Sequence, residues 1–271
     1  MARILLPTDF SDNAAHAGEY AVRLFGTHGN TYTLLHTYLD LSLADPMVPS
    51  MAPELMKASE EGLRDHADRF VRRTGAEGVR REVRYGPLSS VVNDFAREKN
   101  TDVVVIGNRG TTGSLLFGSN TLSVLKHSHL PVLAIPERAA IEPVARILLA
   151  DDNGDVQPRD FRVLRMIAQL TGAEVLVGHV DVDLDMPEGR PLRDARSYEL
   201  ALSGITHSYH HARGIDVVDG LDRTARHKHA NMIAVLHRHI GLLSRLFHPS
   251  TAKELAHRVD LPLLVLEQHE E

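Results

Sequence analysis

The sequence predicts an α/β protein of two doubly wound domains, each a five-stranded parallel sheet flanked by helices. Three observations predict it: the chain repeats itself, each half alternates short apolar runs with amphipathic segments, and runs such as "VVVI" and "VLAI" are apolar on both faces. Strands of this last kind are typical of parallel sheets that carry helices on both sides. Right-handed crossovers would then connect the strands within each half.

The repeat is visible at the start, the middle and the end of each half. "RILLPTDFSD" (Arg3–Asp12) returns as "RILLADDNGD" 143 positions later, and "LLHTY" returns as "VGHVD" at the same offset. "LPVLAIPE" (Leu130–Glu137) returns as "LPLLVLEQ" 131 positions later. Self-similarity of this kind predicts two similar domains. We place them at residues 1–138 and 144–271, joined near the two prolines of "PERAAIEP".

Each half is predicted to alternate strands and helices, the order of a Rossmann-like domain. Apolar runs in the first half predict strands at Ile4–Leu6, Thr31–His36, Val79–Arg84, Asp102–Ile106 and Val132–Ile135. Amphipathic spacing between them predicts helices at Asn13–Phe25, Pro53–Arg73, Leu88–Glu98 and Asn120–His127. The second half predicts strands at Ile147–Leu149, Val175–His179, Ile215–Val218, Met232–Leu236 and Leu263–Leu266.

The composition excludes several classes of protein. There are no cysteines, so disulfides, thiolate metal sites and a cysteine nucleophile are excluded. With 36 acidic and 30 basic residues the net charge is −6, which argues against a general binder of nucleic acid or membrane. No apolar run approaches the roughly 18 residues of a spanning helix, and the first residues lack the pattern of a signal peptide. We therefore expect a cytoplasmic location.

A glycine-rich loop follows the fourth predicted strand, in "VVVIGNRGTTGSLLFGSNT". Ligands of open parallel sheets bind beyond the carboxyl ends of the strands, where this loop begins. The free N–H groups of the helix start at Gly118-Ser119 favour an anion, and Arg109 adds positive charge. Ser119 could donate its hydroxyl to a phosphate or act as an N-cap. A plain turn with a capping serine fits the same residues, and the glycines alone do not decide between the two.

A carboxylate is expected at the same edge of the sheet. Asp9 follows the first strand directly, in "LPTDFSD". There it could accept hydrogen bonds from ribose hydroxyls or an adenine amine. It could equally cap the first helix, which is the role we expect of Ser11.

Taken in order, these motifs resemble the universal stress protein family. "PTDFS" follows strand one, "LLHTY" lies at strand two, a G-x-x-G loop follows strand four, and Gly-Ser opens the last helix. The chain resembles the tandem form of the family over nearly all of its 271 residues. The resemblance implies a nucleotide-binding stress-response module with its site in the N-terminal domain.

The resemblance also implies which residues would contact the nucleotide. Asp9 would contact the nucleoside, Thr37 would offer its backbone to adenine, and the glycines and the Gly-Ser pair would hold ribose and phosphates. The full set is Pro7, Thr8, Asp9, Thr37, Ile106, Gly107, Arg109, Gly110, Gly118, Ser119, Asn120 and Thr121. The ligand would be ATP, with ADP and AMP as shorter alternatives and Mg²⁺ as the accompanying ion. The seven residues "TTGSLLF" make a shorter loop than the family usually has, which favours a shorter nucleotide or weaker binding.

The second half departs further from the nucleotide-binding pattern. Bulky residues replace most glycines in "LHRHIGLLSRLFHPSTAKEL", and Pro249 removes a backbone N–H at the predicted helix start. "PTD" has become "ADD", whose extra carboxylate would repel phosphate. Because this half keeps the fold signals without the glycines, we expect that the fold does not require them. Gly107, Gly110 and the Gly118-Ser119 pair are therefore expected to serve a ligand.

We expect the second domain to bind no nucleotide and to act as an intrachain dimer partner of the first. The resemblance implies that the domains pair through their last strands, Val132–Ile135 against Leu263–Leu266. A homodimer of the whole chain is a further expected partner.

Histidines raise a metal hypothesis, since 11 of the 17 lie in the second half. His207 and His211 are four residues apart, so on a helix they could share a metal. Exposed histidines without a metal role explain the pattern as well, and no metal site is predicted. His36 and His179 are expected to pack at matching strand ends.

No catalytic constellation stands out, because neither a G-x-S-x-G nor an H-E-x-x-H motif is present. The alternatives to a nucleotide-binding module are therefore a slow ATPase and a scaffold that binds no nucleotide.

Overall fold

The computed structural model describes residues 1–40, 50–108, 118–151, 156–181, 195–214, 216–237 and 260–267. Arg109, Gly110, Asp152 and Pro249, on which several predictions depend, lie outside these ranges. The chain divides into two units, Met1–Glu137 and Arg138–Glu271. Among the described helices, none has an apolar stretch long enough to cross a bilayer.

The first unit carries one parallel sheet with helices between its strands. The strands are β1 (Arg3–Pro7), β2 (Thr31–Tyr38), β3 (Val79–Tyr85), β4 (Val103–Gly107) and β5 (Val132–Ile135). The helices are α1 (Asp12–Phe25), α2 (Ala52–Thr74), α3 (Leu88–Lys99) and α4 (Ser119–His127). The strands lie in the order β3-β2-β1-β4-β5, so the direction of winding reverses between β1 and β4. Ligands of doubly wound sheets bind at such a reversal.

Burial explains why the central strands read as continuous apolar runs. Every residue of β4 and β5 is buried, because helices cover both faces of the sheet. β3 lies at the end of the sheet order, has no buried residue and carries the charged residues Arg80, Arg81, Glu82 and Arg84 instead. Charges on a terminal strand oppose edge-to-edge aggregation.

The second unit repeats this architecture. Its strands are β6 (Arg146–Asp151), β7 (Glu174–Asp181), β8 (His207–Arg213), β9 (Met232–His237) and β10 (Leu263–Glu267). Its described helices are α5 (Arg162–Thr171), α6 (Ala195–Ala201) and α7 (Val217–Lys228). These strands are parallel in the order β10-β9-β6-β7-β8. The predicted fold class, two doubly wound domains with five parallel strands each, is confirmed.

One predicted strand, Ile215–Val218, is wrong. The third strand of the second unit is β8, and α7 begins at Val217. Asp216 is the N-cap of α7, and its carboxylate accepts a hydrogen bond from the backbone N–H of Asp219 at 2.8 Å. The cap directs the two valines that follow into a helix. β8 escaped detection because "HSYHHAR" is polar, as the last strand in a sheet order can be.

Replacing Asp216 with alanine should lower the free energy of unfolding of the second unit by about 1 kcal/mol, because the N–H of Asp219 loses its acceptor. Asp216→Asn keeps a capping oxygen and should retain most of the stability. Urea unfolding of both variants measures the difference. Equal stability of Asp216→Ala and the unsubstituted protein would contradict the capping role.

Candidate functional site

A cavity of about 220 Å³ opens at the carboxyl ends of the central strands of the first unit. It lies where the strand order reverses, between β1 and β4. Ten of the predicted site residues line it: Pro7, Thr8, Asp9, Thr37, Ile106, Gly107, Gly118, Ser119, Asn120 and Thr121. The structure thus brings together residues that the sequence spreads over more than 110 positions.

Three further residues line the cavity, and the motifs did not indicate two of them. His36 was expected at the end of its strand, whereas Ala14 and Leu88 belong to no motif. Both lie in the first turn of a helix that follows a strand of the sheet. Only the topology signals them, since helix starts adjoin the carboxyl ends of parallel strands.

The turn between β1 and α1 presents Asp9 to the cavity. Asp9 is exposed, and its Oδ1 accepts a hydrogen bond from the N–H of Ser11 at 3.1 Å. Ser11 is the N-cap of α1, and its hydroxyl oxygen accepts from the N–H of Ala14 at 3.2 Å. The capping role predicted for Ser11 is confirmed. The carboxylate of Asp9 therefore shapes the turn while it borders the cavity.

His36 anchors the same turn from the neighbouring strand. Its Nδ1 donates to the carbonyl oxygen of Thr8 at 2.8 Å, since a carbonyl can only accept. Its ring stacks on Phe10 with a centroid distance of 4.3 Å. The next residue, Thr37, then faces the cavity in register with Arg84 of β3. Packing at the strand end, as predicted for His36, thus fixes the floor of the site.

Gly107 is required by the packing of α1 on β4. A Cβ at this position would lie 2.5 Å from Oδ1 of Asn13 and 2.9 Å from its backbone oxygen. Asn13 is buried at the start of α1, so its backbone has little room to move. The expectation that the fold does not require Gly107 is therefore wrong, whereas its contact with a ligand stays a prediction. The fold of the first unit needs this glycine whether or not a ligand binds.

The start of α4 closes the far side of the cavity. Gly118 is the N-cap, and its N–H donates to the carbonyl oxygen of Asn108 at 2.8 Å. Ser119 is the first helical residue, so the N-cap role considered for it is wrong. Its side chain and that of Asn120 are exposed.

Thr121 has a structural task in the same turn. Its hydroxyl donates to the carbonyl oxygen of Gly107 at 2.8 Å, and the residue is 3% exposed. This bond ties the first turn of α4 to the end of β4. The groups of this turn that can face a ligand are thus the backbone N–H groups of a helix start, together with the side chains of Ser119 and Asn120.

The described lining is nearly neutral apart from Asp9. His36 is the other titratable side chain that lines it, and its Nδ1 is engaged with Thr8. The positive end of the α4 dipole supplies attraction for an anion, worth roughly 0.3–1 kcal/mol at an exposed helix start. A ligand matched to this cavity carries hydroxyl or amine donors at one end and an anionic group at the other.

At the ends of β6 and β7 in the second unit, polar side chains are bonded to one another. Asp151 stands 143 positions after Thr8 and is 4% exposed. Its carboxylate accepts from the hydroxyl of Tyr198 at 2.8 Å and from Nδ1 of His179 at 3.1 Å. Where His36 holds a backbone carbonyl, His179 holds a buried carboxylate. Thr8 and His36 line the cavity of the first unit. Their counterparts in the second unit, Asp151 and His179, are instead hydrogen-bonded to each other.

The comparisons with known proteins agree with the repeat. The universal stress protein family model matches residues 1–136 and again residues 143–267. The chain belongs to the universal stress protein family. The predicted tandem form, with two copies in one chain, is therefore confirmed.

Relatives and a solved structure extend this finding. Universal stress protein G of Shigella flexneri is 32% identical over 143 residues, which are 49% of this chain and 96% of that protein. A universal stress protein of Mycolicibacterium smegmatis is 26% identical over 197 residues, covering 68% of this chain and 66% of the relative. The crystal structure of a universal stress protein from Archaeoglobus fulgidus DSM 4304 has a TM-score of 0.71 at 21% identity. It covers 99% of this chain and 97% of its own, so the fold is shared along the length of both.

The histidine-rich segment forms a strand, so the helical pairing of His207 and His211 is wrong. Four residues along a strand span about 13 Å, too far for two histidines to share one ion. His207 instead donates from Nδ1 to the carbonyl oxygen of Ile205, and its Nε2 lies 3.4 Å from Glu199. Within the described ranges, no group of three or more histidine, aspartate or glutamate side chains is arranged to hold a metal.

Gly107→Ala should destabilise the first unit by about 1–3 kcal/mol, because the added methyl group forces Asn13 or β4 to shift. Urea unfolding measures the loss. Arg72→Ala, an exposed substitution on α2, serves as the control and should change stability by less than about 0.5 kcal/mol. An unchanged unfolding midpoint for Gly107→Ala would remove the packing explanation for this glycine.

Tyr198→Phe should destabilise the second unit by about 1–3 kcal/mol, because the buried Asp151 carboxylate loses a donor. Tyr85→Phe changes the same atom at a residue that is 52% exposed and should have almost no effect. Hydrogen exchange of the amides in β6 and β7 reports the stability of this unit. Equal exchange in the two variants would show that the hydroxyl of Tyr198 contributes little.

Proposed function

We propose that the first domain binds an adenine nucleotide, and that the chain is a tandem nucleotide-binding module of the stress response. One observation carries the proposal: the Asp9 carboxylate and the N-terminal turn of α4 border the same cavity, at the point where the strand order reverses. A carboxylate suits the hydroxyl groups of a ribose, and a helix start suits a phosphate.

The lining divides into parts that match those of a nucleotide. Ala14, Leu88 and Ile106 offer apolar surface for a base, and the backbone of Thr37 lies beside them at the end of β2. Asp9 would accept hydrogen bonds from the nucleoside. The N–H groups of Ser119 and Asn120 would donate to phosphate oxygens, and the Ser119 hydroxyl would add a further donor.

The size and charge of the cavity favour a short nucleotide over a triphosphate. Its volume of about 220 Å³ is below the roughly 300–1,000 Å³ typical of drug-sized ligands. Among the described lining residues no lysine or arginine offsets a chain of phosphates. ATP would therefore depend on Arg109 and on Mg²⁺ to neutralise its charge, whereas AMP would need little beyond the α4 dipole.

The second domain, in this proposal, binds no nucleotide and serves as the structural partner of the first. Support comes from Asp151, whose buried carboxylate would repel a phosphate and already has its donors in Tyr198 and His179. Pairing of the domains through their last strands stays a prediction.

Calorimetric titration with ATP, ADP and AMP tests the proposal directly. We expect one site per chain, and we expect Asp9→Asn to weaken binding by about tenfold because it replaces a charged acceptor with a neutral one. Asp94→Asn makes the same change at an exposed position of α3 and should leave the dissociation constant unchanged. A ligand present at 100 times its dissociation constant should also stabilise the protein by about 2.7 kcal/mol.

Absence of binding by all three nucleotides, with an unchanged melting temperature, would reject the proposal in favour of a scaffold without nucleotide. Turnover of bound ATP above the uncatalysed background would instead point to the slow ATPase.

A further inference from the structure

His66 lies behind the candidate site and does not line the cavity. It is on the buried face of α2 and is 4% exposed. Its Nε2 lies 3.3 Å from the hydroxyl oxygen of Thr8, which is 58 positions away in sequence. The imidazole therefore contacts the residue that immediately precedes Asp9.

The turn that carries Asp9 is held in an unfavourable backbone conformation. Phe10 has φ = 66°, in the left-handed region that a residue with a bulky side chain rarely adopts. Its ring lies between β2 and α2, stacked on His36 and tilted against His66 at a centroid distance of 5.8 Å. A Cβ on Gly62 of α2 would lie 2.9 Å from the same ring. Close packing on both sides keeps Phe10, and with it the turn, in place.

The Thr8 hydroxyl can donate its proton to His66 when the imidazole is neutral. The Thr8 hydroxyl oxygen accepts from the backbone N–H of Phe10 at 3.0 Å, which leaves its single proton to be donated. Nε2 of a neutral imidazole can accept that proton, whereas a protonated imidazole can only donate. Protonation would thus leave a buried hydroxyl proton without this acceptor and place a positive charge in the core.

The surroundings of His66 oppose its protonation. Burial is the main cause that lowers its pKa below 6.5, and Arg69 of α2 and His36 of β2 act in the same direction. Asp9, in the turn, opposes them in part. α1 and β3 also pack on α2, whereas the charges named above belong to α2, β2 and the turn. The imidazole is therefore neutral at pH 7.

We propose that His66 is a positioning residue that, in its neutral form only, holds the Thr8–Phe10 turn so that Asp9 faces the nucleotide. The positioning of the turn stands on the contacts above, and its consequence for affinity rests on the proposed nucleotide site. Protonation of His66 releases the turn. Nucleotide affinity then falls at acid pH because His66 is protonated, although His66 does not contact the ligand.

The direction of the pH dependence follows from linkage. Because the folded pKa lies below the unfolded value of 6.5, the stability that His66 contributes is complete above that value. It declines as the pH falls from 6.5 towards the folded pKa. Binding, which requires the held turn, lowers this pKa further. Affinity therefore falls below the pKa of the free protein, by at most about tenfold per pH unit for one proton.

The first test compares AMP affinity at pH 7.5 and pH 5.0 in the unsubstituted protein, in His66→Gln and in His129→Gln. Glutamine at position 66 keeps an acceptor and does not titrate, and His129 is an exposed histidine of the same unit. Titration of the AMP phosphate affects all three proteins alike and cancels in the ratio. We expect the unsubstituted protein and His129→Gln to lose affinity in acid by about three- to tenfold more than His66→Gln.

The second test needs neither a variant nor a ligand. The amide protection factors of Phe10 and Ser11 should fall between pH 7 and pH 5, together with the titration of the His66 ring followed by NMR. Equal loss of affinity in all three proteins, or protection that stays constant while the ring titrates, would overturn the proposal. If the proteins bind none of AMP, ADP and ATP at pH 7.5, the nucleotide site is rejected. Constant or falling amide protection then still decides the role of His66.

Discussion

The close approach of α1 to β4 is the constraint on which the candidate site depends. At Gly107 the strand has no Cβ, so Asn13 can lie directly against its backbone. The start of α1 is thereby fixed beside the end of β4. The carbonyl oxygen of Gly107 accepts the bond from Thr121 that fixes α4 on the other side. One glycine thus sets the distance between the turn that presents Asp9 and the helix start that would face an anion.

The two domains place different side chains at the end of their first strand. In the first, the uncharged Thr8 follows β1, and His36 binds its backbone carbonyl. In the second, the aspartate at the corresponding position turns His179 and Tyr198 towards itself. A buried carboxylate needs several donors, so once it is present the neighbouring polar groups are committed to it. The sheet tolerates either residue at this position, because backbone hydrogen bonds and apolar faces hold its strands together.

Sequence patterns predicted the parts of this molecule that depend on local chemistry. β5 has the predicted bounds, and the capping serine of α1 was recognised because a cap acts within three residues. The strand β8 was missed because polar residues in a terminal strand carry no apolar signal. The contacts of Gly107 with Asn13 and of Thr8 with His66 join residues far apart in sequence, which no local pattern reveals. That Leu88 lines the cavity could likewise be recognised only once the order of the strands was known.

The strain at Phe10 connects stability to recognition. A left-handed conformation at a non-glycine residue costs roughly 1–3 kcal/mol, and the rings of His36 and His66 offset that cost. A relaxed turn would be more stable locally but would leave Asp9 free to sample other directions. Holding it before the ligand arrives lowers the entropy lost on binding. In the proposed site, the packing between β2 and α2 would act on the ligand through the geometry of the turn, even though two of its members, Phe10 and His66, lie outside the cavity lining.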